Sequence, residues 1–377
     1  MQYRRFGATD RSVSVFSLGL MRCTESPQML QDTIAAAWAL GINHWETAQG
    51  YGQSESYLGQ ALQQLAMPRA DWFLTTKFTP MTGAETTLAL KRSLQRLELD
   101  FVDAIAIHGI NRPEHLELVC APGGMLEALD AAQDQGLIKH IGFSSHGALD
   151  LILKTIGSGR FSFVNLHYSL FFQRNAPAIQ QAAKQDLGIF IISPADKGGL
   201  LHRPPQRLQQ LCAPLTPLAL NYRFLLADPR ITTLSFGAAQ PEDLAVLVEM
   251  ANRTESLTDL ELGLLNALDQ AAKDHLGNDR CHQCYACLPC PEGIHIPEVL
   301  RLRNLAVAYD MREFAQYRYA MFENAGHWFP GRRGDRCTEC GDCLPRCPEG
   351  LDIPALLRDS HDRFKGKSRR RLWENET

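Results

Sequence analysis

The sequence contains no run of eighteen apolar residues, so no part of it predicts a membrane-spanning helix. Its opening residues, MQYRRFGATDRSVS, lack the apolar stretch of a signal peptide. An excess of positive charge is also absent, because 38 lysines and arginines stand against 42 aspartates and glutamates, for a net charge of −4. These absences argue against nucleic acid or an anionic membrane as a partner. They predict a soluble, cytoplasmic protein.

Disulfide bonds are not expected either, although the chain of 377 residues has 11 cysteines. A long chain without a secretion signal is not a typical disulfide scaffold. Eight of the cysteines form two short runs, each closed by a Cys-Pro pair: Cys281, Cys284, Cys287 and Cys290, then Cys337, Cys340, Cys343 and Cys347. Thiolate ligands explain this spacing better than disulfides do. Cys23, Cys120 and Cys212 lie outside the runs and are predicted to be ordinary thiols.

Both runs have the spacing of iron–sulfur ligands. In bacterial ferredoxins, a Cys-x2-Cys-x2-Cys segment gives three thiolates to one [4Fe-4S] cluster, and the fourth cysteine, before a proline, ligates the other cluster. The two ligand sets predicted from this precedent are Cys281, Cys284, Cys287 with Cys347, and Cys337, Cys340, Cys343 with Cys290. The first run is one residue tighter before its fourth cysteine, which leaves local ligation open. Structural zinc is the alternative metal, but zinc sites usually separate two Cys-x2-Cys pairs by a dozen residues or more.

Residues 1–250 alternate short apolar runs with amphipathic stretches, as parallel strands covered by helices do. The predicted strands are 15–20, 44–48, 73–78, 101–108, 138–144, 163–168, 189–194 and 231–237. Eight such units predict an α/β fold of the (β/α)8 type, a TIM barrel, followed by a smaller and mainly helical two-cluster domain. The predicted divisions are a barrel over 1–255, a helical connection over 256–279, the ferredoxin-like domain over 280–360 and a polar, flexible tail over 361–377.

Polar residues stand where the predicted strands end. Barrels of this kind carry their active sites at the carboxyl ends of the strands. The residues at or near those ends are Glu46, Lys77, His108, Ser144, Asn165 and Ser193. One polar residue there carries little weight, because every strand must end, but six at equivalent positions indicate a site. In the tail, the basic residues 369–371 are interpreted as a solvated end rather than a docking element.

Over roughly residues 1–250, the chain resembles the aldo/keto reductase family. The matching segments, in order, are YRRFG at 3–7, TAQGYGQSE at 47–55, TK at 76–77, IH at 107–108 and IGFS at 141–144. A barrel joined to two C-terminal cysteine runs is similar to the iron–sulfur members of that family. The resemblance implies an oxidoreductase.

The resemblance also implies a catalytic tetrad of Glu46, Tyr51, Lys77 and His108. Reduction of a carbonyl requires a proton for the new alkoxide, and a free tyrosine with a pKa near 10 is a poor donor at pH 7. The ammonium of Lys77 would lower the pKa of Tyr51, and a carboxylate would keep Lys77 charged. His108 would orient the substrate carbonyl. Glu46 replaces the family's aspartate with one more methylene, which is compatible with slow turnover.

NAD(H) or NADP(H) is the cofactor that the resemblance implies for the barrel. Ser144, Ser145 and Asn165, the last in place of the usual glutamine, correspond to the residues that hold the nicotinamide carboxamide. The remaining predicted cofactor contacts are Ser193, Gly237 and Ala238. Residues 235–243 contain no lysine or arginine, and Asp243 stands where an arginine often binds the 2′-phosphate. A carboxylate repels a phosphate, which leaves a preference for NADH, weak nicotinamide binding or another cofactor as alternatives.

The leading hypothesis is an oxidoreductase whose barrel acts on a carbonyl-like small molecule while two clusters carry single electrons. A ferredoxin or another redox protein is a candidate partner, above all if the barrel is part of a redox complex. Hydride transfer moves two electrons together and a cluster moves one, so coupling requires a flavin or two successive steps, and no flavin motif is readable. A second hypothesis combines an ordinary reductase with structural or redox-sensing clusters. A third makes the barrel a non-catalytic or regulatory subunit of a redox complex.

Overall fold

The computed structural model describes residues 1–368 and divides the chain into two compact units. Unit 1 comprises Met1–Lys197 and Tyr222–Ser256, and unit 2 comprises Gly198–Asn221 and the chain from Leu257 onward. The segment Gly198–Asn221 therefore belongs with the C-terminal part of the chain, which no sequence pattern indicates. Residues 369–371 and the rest of the predicted tail after residue 368 lie outside the described residues.

Unit 1 begins with an antiparallel pair, β1 (Tyr3–Arg5) and β2 (Ser12–Ser14), and continues into the barrel. The barrel strands are β3 (Phe16–Gly19), β4 (His44–Glu46), β5 (Phe73–Phe78), β6 (Val102–His108), β7 (Ile138–Ser144), β8 (Phe163–Leu166), β9 (Gly188–Ile191) and β10 (Thr233–Phe236). They are parallel and close in the order β10-β3-β4-β5-β6-β7-β8-β9. The predicted TIM barrel is confirmed.

Helices follow the strands, as expected for βα units. Their bounds are α1 (Pro27–Ala39), α2 (Ser54–Leu65), α3 (Gly83–Leu97), α4 (Pro113–Cys120), α5 (Met125–Asp134), α6 (Leu149–Gly157), α7 (Ala176–Lys184), α8 (Gln206–Cys212), α9 (Pro217–Leu226) and α10 (Ala245–Met250). Helix α3 shows why they begin where they do: the Thr82 side chain accepts from the backbone of Glu85, and the Glu85 carboxylate accepts from the backbone of Thr82.

The hairpin of β1 and β2 closes the amino-terminal end of the barrel with an aromatic side chain. Phe6 follows β1 and is fully buried, with its ring centroid 5.8 Å from that of Phe73 and 5.1 Å from that of Phe163. These two are the first residues of β5 and β8. A Cβ at position 188 would lie 2.2 Å from the Phe6 ring, so Gly188 is the residue that admits it. Packing at this end leaves the carboxyl ends of the strands for a site.

Unit 2 is built on helices joined by long irregular segments that carry the cysteine runs. Its further helices are α11 (Asp259–Leu276), α12 (Ile296–Tyr309), α13 (Arg312–Tyr319) and α14 (Ile353–Phe364). Helix α12 packs against α11, α13 and α14. Each cysteine run leads into a helix with proline in its first turn, capped by His295 on α12 and by Asp352 on α14. In the described part of the chain, no helix has the length and apolarity needed to cross a membrane.

Candidate functional site

The predicted tetrad assembles at the carboxyl end of the barrel strands. Glu46 ends β4, Lys77 is the penultimate residue of β5, and His108 ends β6. Tyr51 lies in the loop between β4 and α2. Glu46 and Lys77 are buried, while Tyr51 and His108 are half-buried. The site therefore has two buried charged residues at its bottom, and Tyr51 and His108 lie nearer the surface.

Glu46 and Lys77 form a buried ion pair at the bottom of the site. Lys77 Nζ lies 2.9 Å from Glu46 Oε1 and donates to the backbone oxygen of Thr47, also at 2.9 Å. Burial lowers the pKa of Lys77, but Glu46 and Tyr51 raise it by more, so the net shift is above the usual value. The side chain is an ammonium at neutral pH.

Tyr51 contacts Lys77 and His108 and lies within the electrostatic influence of Glu46. The Nζ of Lys77 lies over the Tyr51 ring, 4.8 Å from the ring centroid. The edge of one ring meets the face of the other between Tyr51 and His108, with centroids 5.9 Å apart and planes at 88°. Burial raises the pKa of Tyr51, Lys77 opposes that shift, and Glu46 adds to it. Lys77 acts in the expected direction, but burial outweighs it, so Tyr51 holds its proton at neutral pH.

Glu46 also reaches across the barrel mouth to Asn165. Its Oε1 accepts from Asn165 Nδ2 at 2.7 Å, so one carboxylate oxygen joins β4 to β8 while it pairs with Lys77. The sequence alone does not reveal this bond. Among the described residues, Asn165 Oδ1 is buried with no hydrogen-bond partner. A buried carbonyl oxygen of this kind is costly unless a donor meets it.

The other predicted nicotinamide contacts are more dispersed. Ser144 Oγ accepts from the backbone nitrogen of Gly109 at 3.0 Å, and Ser145 Oγ donates to the backbone oxygen of Ile110 at 2.6 Å. Both serines thus fasten the loop after β6. The remaining candidates lie past the strand ends, Ser193 after β9, and Gly237 and Ala238 after β10. Of these predicted cofactor residues, Asn165 hydrogen-bonds to the tetrad, through Glu46.

The loop after β10 carries the acidic side chain noted in the sequence. Asp243 is exposed, and its Oδ2 accepts from the backbone nitrogen of Ala239 at 2.8 Å. The carboxylate therefore occupies a backbone donor of this loop in addition to placing a negative charge there. Both effects disfavour a phosphate at this position.

In unit 2, four thiols from both cysteine runs border one recess. The recess has a volume of about 330 Å³, including space open to solvent. The thiols that line it are Cys290, Cys337, Cys340 and Cys343. The fourth cysteine of the first run therefore lies beside the first three of the second run.

Electrostatic influences also link the remaining thiols of the two runs. Burial, reinforced by the neighbouring Cys284 and Cys347, raises the pKa of Cys281 to about 11. Burial likewise raises the pKa of Cys287 to about 12, with Cys281 and Cys284 among its neighbours. Cys347 of the second run is thus close to the first. Within residues 1–368, no three histidine, cysteine or acidic side chains stand close enough to hold a single metal ion.

Comparison with protein families agrees with this division. Residues 16–269 match the aldo/keto reductase family. The chain belongs to the aldo/keto reductase family. Residues 280–351 match the 4Fe-4S dicluster domain. The chain is therefore an oxidoreductase of the aldo/keto reductase type that carries a dicluster iron–sulfur domain.

Individual relatives match the barrel. The uncharacterized oxidoreductase YqkF of Bacillus subtilis is 23% identical over 305 residues, which cover 71% of this chain and 96% of YqkF. Methylglyoxal reductase DkgB of Yersinia pestis is 33% identical over 149 residues, or 39% of this chain and 53% of DkgB. The holo form of the aldo-keto reductase AKR11C1 from Bacillus halodurans superposes with a TM-score of 0.61 at 22% identity, covering 71% of this chain and 95% of that one. This structural likeness supports the fold.

Proposed function

We propose that the barrel reduces the carbonyl group of a small molecule, or oxidises the corresponding alcohol, with Tyr51 as the general acid and base. The observation that carries the proposal is the contact series from the buried Glu46 and Lys77 to Tyr51. The series leaves a protonated tyrosine next to a charged lysine at the barrel mouth. We propose further that the iron–sulfur domain carries single electrons.

Each side chain of the tetrad has a part in moving one proton. Tyr51 gives its proton to the carbonyl oxygen as the carbon gains a hydride, so the carbonyl becomes an alcohol. The ammonium of Lys77 stabilises the tyrosinate that this transfer leaves, and Glu46 keeps the ammonium charged and in place. His108, at the edge of the Tyr51 ring, orients the carbonyl oxygen. In the reverse direction the tyrosinate takes the proton back.

The residues at the mouth fit a nicotinamide, which when bound supplies the hydride. Because Asn165 Nδ2 is engaged by Glu46, the orientation of the Asn165 amide is fixed and its Oδ1 faces away from the carboxylate. That buried oxygen suits the N–H group of a carboxamide. Ser144 and Ser145 complete the proposed contacts, with Ser193, Gly237 and Ala238 along the rim.

The cofactor preference that we propose is NADH over NADPH, because Asp243 stands at the proposed 2′-phosphate position. Replacement Asp243→Asn removes the charge but keeps an oxygen to accept from Ala239. We expect it to strengthen NADPH binding about tenfold, the gain from relieving one like-charge contact of about 1.4 kcal/mol. NADH binding should not change. The measurement is KM for both nucleotides with a panel of small aldehydes. An equal KM for NADPH in the wild type and in Asp243→Asn would show that Asp243 does not set the cofactor preference.

The cysteines fit two [4Fe-4S] clusters with crossed ligation. The recess bordered by Cys290 together with Cys337, Cys340 and Cys343 supports one set, and the proximity of Cys281 to Cys347 supports the other. Four thiolates are what one such cluster requires, and bound clusters supply one-electron transfer. Cys284 and Cys340 are exposed, which suits the exchange of electrons between the clusters and a ferredoxin or another redox protein.

A further inference from the structure

Arg346 joins the two cysteine runs at the recess. Its Nε donates to the backbone oxygen of Asp342 at 2.8 Å, and its Nη2 donates to the backbone oxygen of Pro289 at 2.9 Å. Asp342 immediately precedes Cys343, and Pro289 immediately precedes Cys290. Both carbonyls therefore belong to residues next to thiols of the same recess. Arg346 itself lines that recess.

The guanidinium brings a permanent positive charge to this position, since arginine is not deprotonated in proteins. Reduction adds one negative charge to a cluster, so a neighbouring cation stabilises the reduced form. The two donated hydrogen bonds also offset the negative ends of two carbonyl dipoles. Two acidic residues, Glu292 and Asp342, line the recess as well. Their charges lower the potential, and Arg346 acts against them.

The charge is not repeated in the other run. Arg346 directly precedes the last cysteine of the second run, and Pro289 directly precedes the last cysteine of the first. Proline has neither a charge nor a side-chain donor. At the position directly before its last cysteine, the second run therefore carries a guanidinium and the first run does not, although their cysteine spacings and the helices that follow them are similar.

We propose that Arg346 raises the reduction potential of the cluster bound at the recess, and that it acts as a positioning residue for the crossing ligand Cys290. The inference rests on the proposed cluster ligation and deepens it. The consequence is a difference in driving force between the two clusters, which sets where a single electron resides. Arg346 would then direct electrons toward the cluster held at the recess by Cys290, Cys337, Cys340 and Cys343.

The test is an anaerobic redox titration of the full chain with bound clusters, followed by EPR spectroscopy. We expect Arg346→Gln to lower one of the two reduction potentials and to leave the other in place. Arg346→Lys keeps the charge without the two-pronged hydrogen bonding, so its potential should stay near that of the wild type. Arg363→Gln is the matched control, because it removes an equal charge from α14, where Arg363 pairs with Asp359.

The outcomes separate this inference from the proposed ligation. Iron content and the presence of two reduction steps report on the ligation, and their absence in the wild type would contradict the proposed function. If both reduction potentials are unchanged in Arg346→Gln, the proposed role of Arg346 is wrong, while the proposed ligation stands. A shift of both steps by the same amount, or an equal shift in Arg363→Gln, would reduce it to a general charge effect and would also overturn it.

Discussion

Replacement of Tyr51 by phenylalanine is expected to lower carbonyl reduction by a factor of about 10²–10⁴, the range that a general acid contributes. The change removes one hydroxyl and keeps the ring, so the contacts of that ring with Lys77 and His108 remain. No other side chain in the proposed mechanism gives a proton to the carbonyl oxygen. The measurement is kcat/KM for nicotinamide-dependent reduction of a small aldehyde by the anaerobically purified full chain.

The control for Tyr51→Phe is the same change at Tyr57, which lies on helix α2. Tyr57→Phe should keep the wild-type rate, and both variants should keep the iron content and circular dichroism of the parent. Unchanged reduction by Tyr51→Phe would contradict the proposed mechanism. So would an equal loss in both variants, since the effect would then belong to tyrosine removal in this region rather than to proton transfer.

Pairs of cysteine replacements distinguish crossed from local ligation by their iron content. With crossed ligation, Cys290 and Cys340 serve the same cluster. The double variant Cys290→Ala with Cys340→Ala should therefore lose one cluster and keep about four iron atoms of about eight per chain. With local ligation, each replacement damages a different cluster, and the double variant should hold almost no iron. The measurement is iron and acid-labile sulfide per chain after anaerobic purification.

The matched control exchanges one member of the pair. Cys340→Ala with Cys347→Ala affects both clusters under crossed ligation and one cluster under local ligation, so its expected iron content is the reverse of the first pair. The two double variants carry the same number of replacements, which removes a general loss of folding as the explanation. If the first pair holds almost no iron while the second keeps about four iron atoms per chain, ligation is local and the proposed sets are wrong.

The sequence predicts the bounds of a barrel strand well where the apolar run ends at the same residue as the backbone pairing. Strand β5 and strand β7 are observed as Phe73–Phe78 and Ile138–Ser144, which are the predicted bounds. Strand β8 ends at Leu166, whereas the apolar pattern continues to residue 168, because Tyr168 is buried in a loop rather than in the ladder. The hairpin of β1 and β2 has three-residue strands, which are too short for a periodic pattern.

The candidate site is predictable as a set of residues but not as a network. The strand-end pattern points to Glu46, Lys77 and His108, and the resemblance to the aldo/keto reductase family adds Tyr51. The bond between Glu46 and Asn165 joins residues 119 positions apart, and the bond from Arg346 to Pro289 joins residues 57 apart. Such contacts depend on side-chain direction across the fold, which residue type and spacing do not determine.

We propose that the barrel and the iron–sulfur domain form one redox enzyme, in which NADH can give up its two electrons in two successive steps, one electron to each cluster. The direct measurement is the visible absorption of the oxidised clusters in the anaerobic full chain before and after addition of NADH. The account predicts that NADH bleaches this absorption and that NADPH does so less effectively. Absorption that stays unchanged with NADH, in a protein that contains both clusters and reduces an aldehyde, would contradict the claim and would leave the clusters outside the reaction of the barrel.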